Sequence, residues 1–556
     1  MTGADWLLAA LAGEGVELLF GNPGSTELPL TDALGRQSGV RYVLGLTEPA
    51  VIGMADGYAQ QSGRLAAVNV HVQPGLANAL SGILNAARAR VPLLVTVGQQ
   101  VSAMLPGDPF LGGELVELAR PIAKGAWEAR TPEELGELTT LAVRTALTHP
   151  RGPVVLGIPV DVQTDPAPSP HSRAHIPSPP APPEAALDLA AALLDTATSP
   201  VILVGDGVHH AGAGGLAATL AERLGAPIYS EPLAAHAPLP TDHPLWRGLL
   251  PPFAVDIRRT LQDNDMVIAL GMPVFRLFGP SQGSPLPAGV RLVHADVDPR
   301  EVGKVHPPQV GLVGDVGAAL EGLLARLGEA RPAPQERRER ESGRTAALRH
   351  TTRQRLAREA AAPGISPAAL CRQIAAFVGP RDLVVDEALT AGRNLRASLG
   401  RRMPGTWLAH RGSALGWGLP AAVGAKLADP GRRVLCVHGD GSLLFGVHAL
   451  WTAAHEGLGL GLVVADNGGY EILRAGLEGL TGRAEGAWPG LALDGPAIDH
   501  VAIARGFGAT AERVEHPGDL RTALCDLWRR AADGPAVLVV PVEGRTPPVG
   551  YPPEAW

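Results

Sequence analysis

Cysteine is scarce in this sequence: Cys371, Cys436 and Cys525 are the three among 556 residues. None forms the close pair that a zinc site or a redox motif needs, and all three stand among apolar residues, so they read as structural. Aromatic residues make up 4% and charged residues 18% of the chain, against 46% apolar. That balance excludes a disordered or fibrous protein and suits a compact α/β enzyme. A net charge of -8 gives no basic footprint for nucleic acid. No run of about 20 uncharged apolar residues is present to span a membrane. The opening MTGADWLLAALAGEGVELLF has acidic residues and no basic stretch ahead of its short apolar run, which is not the build of a secretory signal. The expectation is a cytoplasmic protein.

What is present is an alternation. Short Val-, Ile- and Leu-rich runs, separated by Ala/Leu-rich helical stretches, form the pattern of parallel sheets covered by helices. The runs predict strands at 17–20, 41–44, 66–70, 93–97 and 154–158 in a first block. A second block has them at 201–204, 266–270 and 290–295, and a third at 383–385, 433–437, 460–465 and 536–540. Between the first two, DVQTDPAPSPHSRAHIPSPPAPP is too rich in Pro and Ser to join a packed core. Between the last two lies a stretch dense in Arg and Glu, which reads as a solvated helix or a second linker. The expected fold class is therefore α/β with three domains, each a mostly parallel sheet flanked by helices: 1–160, 187–327 and 365–556, joined by linkers at 161–186 and 328–364.

The third block carries the motif of most weight. RVLCVHGDGSLLFGVHALWTAAHEGLGLGLVVADNGGY reads as strand, tight turn, helix, strand, with Gly439, Asp440, Gly441 and Ser442 at the first strand's end and Asn467 after the second. Parallel neighbouring strands end at the same sheet edge, so Asp440 and Asn467 can converge on one point. A carboxylate, an amide oxygen and the carbonyl of Gly469 suit Mg²⁺ or a related hard cation (Ca²⁺, Mn²⁺), leaving octahedral positions for water and two phosphate oxygens. Gly439 and Gly441 let backbone approach a diphosphate, and the following helix turns its N–H groups toward it.

GDG followed at this distance by Asn resembles the signature of thiamine diphosphate-dependent enzymes, and the first block can be tested against it. GNPGSTELP (21–29), LGLTEPAV (44–51) and NVHVQPG (69–75) each follow a strand. Ser25, Glu48 and His71 thus fall at the C-terminal sheet edge, where ligands of open α/β folds bind. Alone, a Glu opening a helix compensates the helix dipole. In a chain with the metal motif, Glu48 is the candidate for the carboxyl group that the cofactor's aminopyrimidine requires. The likeness extends through GYAQ (57–60), PLLVTVGQQ (92–100), RGLLP (247–251), GLPAAVG (418–424) and ALWTAA (449–454). Over essentially its whole length the chain is similar to the thiamine diphosphate-dependent 2-oxo acid decarboxylases, and among them to the benzoylformate decarboxylase group.

That resemblance implies an aminopyrimidine-binding, a middle and a diphosphate-binding domain, and non-oxidative decarboxylation of a 2-oxo acid to an aldehyde, with carboligation where an aldehyde acceptor intervenes. It implies that Glu48 activates the cofactor, Ser25 orders the substrate carboxylate and His71 transfers protons. Leu415 becomes the apolar wedge that bends the cofactor, and Ser413 the residue whose carbonyl accepts from the 4′-amino group. Gly439, Asp440, Gly441, Ser442, Asn467, Gly469 and Tyr470 hold the diphosphate and its metal. Glu48 and Asp440 come from different subunits in the family, implying a homodimer or homotetramer with the cofactor at the interface.

The resemblance fails at one place. Where the family has a second active-site histidine, in the segment aligning with GMPVFRLFGPSQG (271–283), this chain has Phe278. A phenyl ring transfers no proton. Protonation after CO₂ loss then uses another group or water, or is slow, and slowness favours carboligation. His410 or Arg411 could replace the missing function; Arg411 could equally hold an anionic substrate group, or each could bond nearby backbone. The alternatives to a decarboxylase are an acetolactate synthase-like carboligase, which would carry FAD in the middle domain, and a non-catalytic cofactor-binding relative. The Gly-rich run 204–215 that a dinucleotide would use misses the fingerprint spacing.

Overall fold

The computed structural model describes residues 1–36, 39–167, 176, 178–279, 283–328, 332–400, 402–483 and 488–543. Residues 168–175 and 177 of the stretch expected as a linker at 161–186 lie outside the described residues; its opening residues belong to helix Val160–Thr164 and its last ones to helix Glu184–Asp195.

Three six-stranded sheets form, every strand pairing in parallel. The first contains β1 (Leu18–Gly21), β2 (Arg41–Leu44), β3 (Ala66–Val70), β4 (Leu93–Gln99), β5 (Gly125–Glu128) and β6 (Val154–Pro159). The second contains β7 (Pro200–Val204), β8 (Ile228–Ser230), β9 (Trp246–Leu249), β10 (Met266–Leu270), β11 (Arg291–Asp296) and β12 (Val310–Val313). The third contains β13 (Leu383–Glu387), β14 (Trp407–Ala409), β15 (Val434–Gly439), β16 (Leu460–Asp466), β17 (Thr510–Arg513) and β18 (Pro535–Pro541). The central strands are buried on both faces, which is why they read as unbroken apolar runs.

The strand orders place the crevices. The first sheet runs β2-β1-β3-β4-β6-β5 and the third β14-β13-β15-β16-β18-β17. The two share one topology, whose order reverses direction between the first and third strands of each. The middle sheet, β12-β11-β10-β7-β8-β9, is the doubly wound dinucleotide type, with its switch point between β7 and β10.

The outer units share one core. Helix Glu48–Ser62 buries every residue from Ala50 to Ala59, an all-round apolar helix that needs cover on each side. Helix Gly418–Ala428 of the third unit supplies it: a Cβ on Gly57 would run into the Ala421 backbone, and one on Gly424 into the Met54 carbonyl. Glycine at these two positions lets the helices approach at backbone distance. Among the polar bonds that cross between the two units, Trp417 Nε1 donates to Asp56 Oδ2 at 3.0 Å; burial pushes the Asp56 carboxyl up to about 7.

The Arg/Glu-rich stretch forms helix Pro332–Glu359, but it is not simply solvated. Arg337, Glu341, Thr345 and Leu356 are buried. Arg349 donates to the carbonyls of Thr241, His243 and Trp246 at 2.8 to 3.0 Å, and Arg247 pairs with Glu341 at 2.6 Å. The helix straps the middle unit, and its charges serve that attachment.

Candidate active site

In the third unit, β15 and β16 pair with Gly439 opposite Ala465, so the residues after both strands emerge together. Asp440 Oδ2 and Asn467 Oδ1 accept from the same N–H, that of Gly469, at 3.2 and 3.1 Å. Two hard oxygen donors therefore meet at one point, as the spacing predicts. The buried Asp440 carboxylate is stabilised by backbone N–H groups of Gly441, Gly468 and Gly469, while burial pushes it up to about 6. A buried acid held only by amides, beside an amide oxygen, is a donor set that a divalent cation completes. A Cβ on Gly441 would strike the Tyr470 ring, so tyrosine packs directly on the turn. Helix Asp440–Leu443 is a single turn. Its Ser442 Oγ bonds His438 Nδ1 at 2.9 Å, and His438 Nε2 lies 3.4 Å from Glu387, which ends β13 and accepts the N–H of Gly416 at 2.6 Å.

In the first unit, Ser25 opens a 3-10 turn after β1, His71 directly follows β3, and both lie at that sheet's switch point. Glu48, the first residue of its helix, accepts from Asn78 Nδ2 at 3.2 Å. Glu27, almost fully buried, contacts His71 Nδ1 at 2.8 Å, and Thr26 Oγ1 stands 3.1 Å from the same nitrogen. With Nδ1 engaged, Nε2 is the nitrogen left to exchange a proton. Gly24 lies against the imidazole, where a Cβ would collide with the ring. Glu27 and Thr26 were not singled out from the sequence, although both stand inside GNPGSTELP; only the fold shows that their partner is His71.

The segment 410–418 runs between the units. Arg411 presents no free guanidinium: it pairs with Asp206 and, through both terminal nitrogens, with Glu231 at 2.6 and 2.9 Å. Its partners are carboxylates of the middle unit, not the nearby backbone. His410 lies 6.5 Å from the Trp417 ring, and burial lowers its pKa. Ser413 is exposed, with φ of 63°, and Leu415 is half-buried two residues further on. Phe278 sits elsewhere, half exposed and edge-on to Phe253 at 5.9 Å.

Comparison with known proteins decides the family. Three descriptions of thiamine pyrophosphate enzymes match in succession: the N-terminal TPP binding domain over residues 1–113, the central domain over 187–323 and the C-terminal TPP binding domain over 392–540. A benzoylformate decarboxylase of Pseudomonas aeruginosa is 36% identical, covering 95% of this chain and 96% of its own. The chain belongs to the thiamine pyrophosphate enzymes. The large subunit of acetolactate synthase isozyme 1 from Escherichia coli is 29% identical over 98% of this chain and 94% of its own. Among solved structures, the 4-hydroxybenzoylformate decarboxylase of Rhodococcus jostii RHA1 superposes with a TM-score of 0.85 at 30% identity, covering 98% of this chain and 99% of that one. This thiamine pyrophosphate enzyme accordingly works with thiamine diphosphate and a divalent metal ion, and the resemblance read from its motifs is borne out.

The middle unit of this thiamine pyrophosphate enzyme differs from the outer two. At its switch point Gly205 and Gly207 pack against Gly271 and Met272, and Arg411, Asp206 and Glu231 line a void of about 20 Å³. Sites for small ligands and cofactors run to roughly 300 Å³ and more. Among the described residues no helix is long and apolar enough to cross a membrane.

Proposed function

We propose that this enzyme decarboxylates an aromatic 2-oxo acid non-oxidatively to the aldehyde, in a site completed between two copies of the chain. The observation that carries the reading is the convergence of Asp440 and Asn467 on the Gly469 N–H, in a chain whose first sheet offers Glu48 and His71 at the corresponding edge. Asp440, Asn467 and the Gly469 carbonyl would hold the metal; Gly439, Gly441, Ser442 and Tyr470 would enclose the diphosphate. Thiamine diphosphate supplies the thiazolium ring that takes up the electrons released as CO₂ leaves.

The chain's own residues do the rest. Glu48 holds a proton at the aminopyrimidine, and the Ser413 carbonyl accepts from its amino group. Leu415 would lie against the cofactor, and Ser25 would orient the substrate carboxylate. His71, its ring set by Glu27 and Thr26, moves a proton through Nε2. With Arg411 committed to two carboxylates and Phe278 aprotic, His71 and His410 are the candidates left, of the residues singled out, to protonate the intermediate. That scarcity supports slow protonation and a share of carboligation when an aldehyde acceptor is present. The aromatic substrate class follows the relatives' names. The 36% identical relative and the superposed solved structure, both decarboxylases by name, favour a decarboxylase over an acetolactate synthase, and Glu48, Asp440 and Asn467 speak against a silent relative. The proposal includes unit boundaries near 160, 187, 327 and 365, supported by where the sheets begin and end, a cytoplasmic location, and a homodimer or homotetramer.

The test is CO₂ release from benzoylformate, its 4-hydroxy derivative, pyruvate, branched-chain and dicarboxylic 2-oxo acids, with thiamine diphosphate and Mg²⁺ supplied or withheld. Cofactor-dependent release from the aromatic acids is expected. Release from pyruvate alone, with acetolactate as product, would transfer the reading to a carboligase. Sedimentation at varied concentration tests the oligomer.

A further inference from the structure

The segment that would seat the cofactor is fastened to all three units of the fold. From its own unit, Glu387 accepts the N–H groups of Gly416 and Gly418. From the first, Asn85 forms a reciprocal pair with Ala414, donating from Nδ2 to the carbonyl at 2.9 Å and accepting the N–H through Oδ1 at 3.2 Å. From the middle unit, Asp206 and Glu231 clasp Arg411; all three side chains are less than a tenth exposed. Asp206 is itself fixed, accepting the N–H groups of Ala235 and His236 at 3.1 and 3.0 Å.

Between two of these anchors stands Ser413, at φ of 63°. A residue with a Cβ rarely occupies this region, and holding it there costs energy that surrounding bonds must offset. The Ser413 side chain is exposed, so the conformation is imposed by its neighbours in the chain, Arg411 and Ala414.

We infer that Arg411 is a positioning residue: with Asn85 it holds Ser413 in a strained backbone conformation that presents the Ser413 carbonyl and Leu415 to the cofactor, which makes Asp206 and Glu231 of the middle unit part of the cofactor-binding apparatus. The inference rests on reading this segment as the seat of thiamine diphosphate. A filled switch point thus becomes a joint that carries the middle unit's position into the active site. Arg411 touches no substrate in this account; it acts through the backbone two residues away.

Removing Arg411 alone would strand two buried carboxylates and threaten folding, so the test uses R411M/D206N/E231Q, which removes the charges together. Amide hydrogen exchange over residues 410–416 of the cofactor-free protein is expected to accelerate about tenfold or more, and thiamine diphosphate with Mg²⁺ to bind about tenfold more weakly. Adding S413G to the triple variant removes the backbone strain and no side-chain contact, so it is expected to recover most of the lost affinity. Unchanged exchange over 410–416 would overturn the positioning role, as would a loss of affinity that S413G leaves untouched. If the wild-type chain fails to bind thiamine diphosphate, the functional reading falls, whereas the exchange data still decide what Arg411 holds.

Discussion

The middle sheet and the two outer sheets are built alike, six parallel strands ending in a crevice where the strand order reverses, yet they use that crevice in opposite ways. In the outer units it gathers groups that a ligand would complete: Ser25 and His71 at one, the buried Asp440 and the glycines around it at the other. In the middle unit the same place is closed by glycine packing and by the Arg411, Asp206 and Glu231 cluster. Topology supplies a concave edge, and the side chains there decide whether it becomes a site or a joint.

The largest effect that would break this contrast concerns the open edge. Glu48→Gln is expected to lower cofactor-dependent decarboxylation by about 10² to 10⁴, the range in which a positioned proton carrier acts, with little change in the thermal midpoint. An undiminished rate would mean that the first sheet's edge is as closed to chemistry as the middle one. A smaller effect sharpens the picture of how that edge is prepared. Glu27→Gln leaves the His71 ring in place and loosens its orientation, so a loss on the order of tenfold in kcat is expected, together with a displaced pH profile and an unchanged KM.

The smallest concerns the seam between the outer units. Burial raises Asp56 to about 7, so in the folded chain it keeps a proton that the unfolded chain releases above about pH 4. This group's contribution to stability therefore declines as pH rises from about 4 to 7. Asp56→Asn is expected to flatten that decline in the thermal midpoint of the cofactor-free protein; an identical slope would assign the pH dependence elsewhere.

The central strands were legible because each is a doubly buried run of Val, Ile and Leu. The edges were not. β5, β9, β12, β14 and β17, with β8 beside an edge, are three to four residues long, and most are partly exposed. Tertiary pairing makes such segments strands where local pattern does not. Asp440 and Asn467 could be paired in advance because a βαβ unit fixes where its strand ends emerge. Arg411 could not be, since its partners lie 180 and 205 residues away in another unit. Sequence neighbourhood suggested a substrate anion or local backbone for it, and the fold supplied two carboxylates instead.

The glycine-spaced contact between helices Glu48–Ser62 and Gly418–Ala428 also sets an order of events during synthesis. Its two sides stand 361 residues apart, the separation of Asp56 and Trp417. At roughly 5 to 20 residues per second, the first helix waits on the order of 20 to 70 s for its cover. Until then an apolar helix, polar only at Asp56 and the residues flanking its buried run, stays exposed on the nascent chain. The first unit therefore gains full cover for this helix only once the third unit has been made.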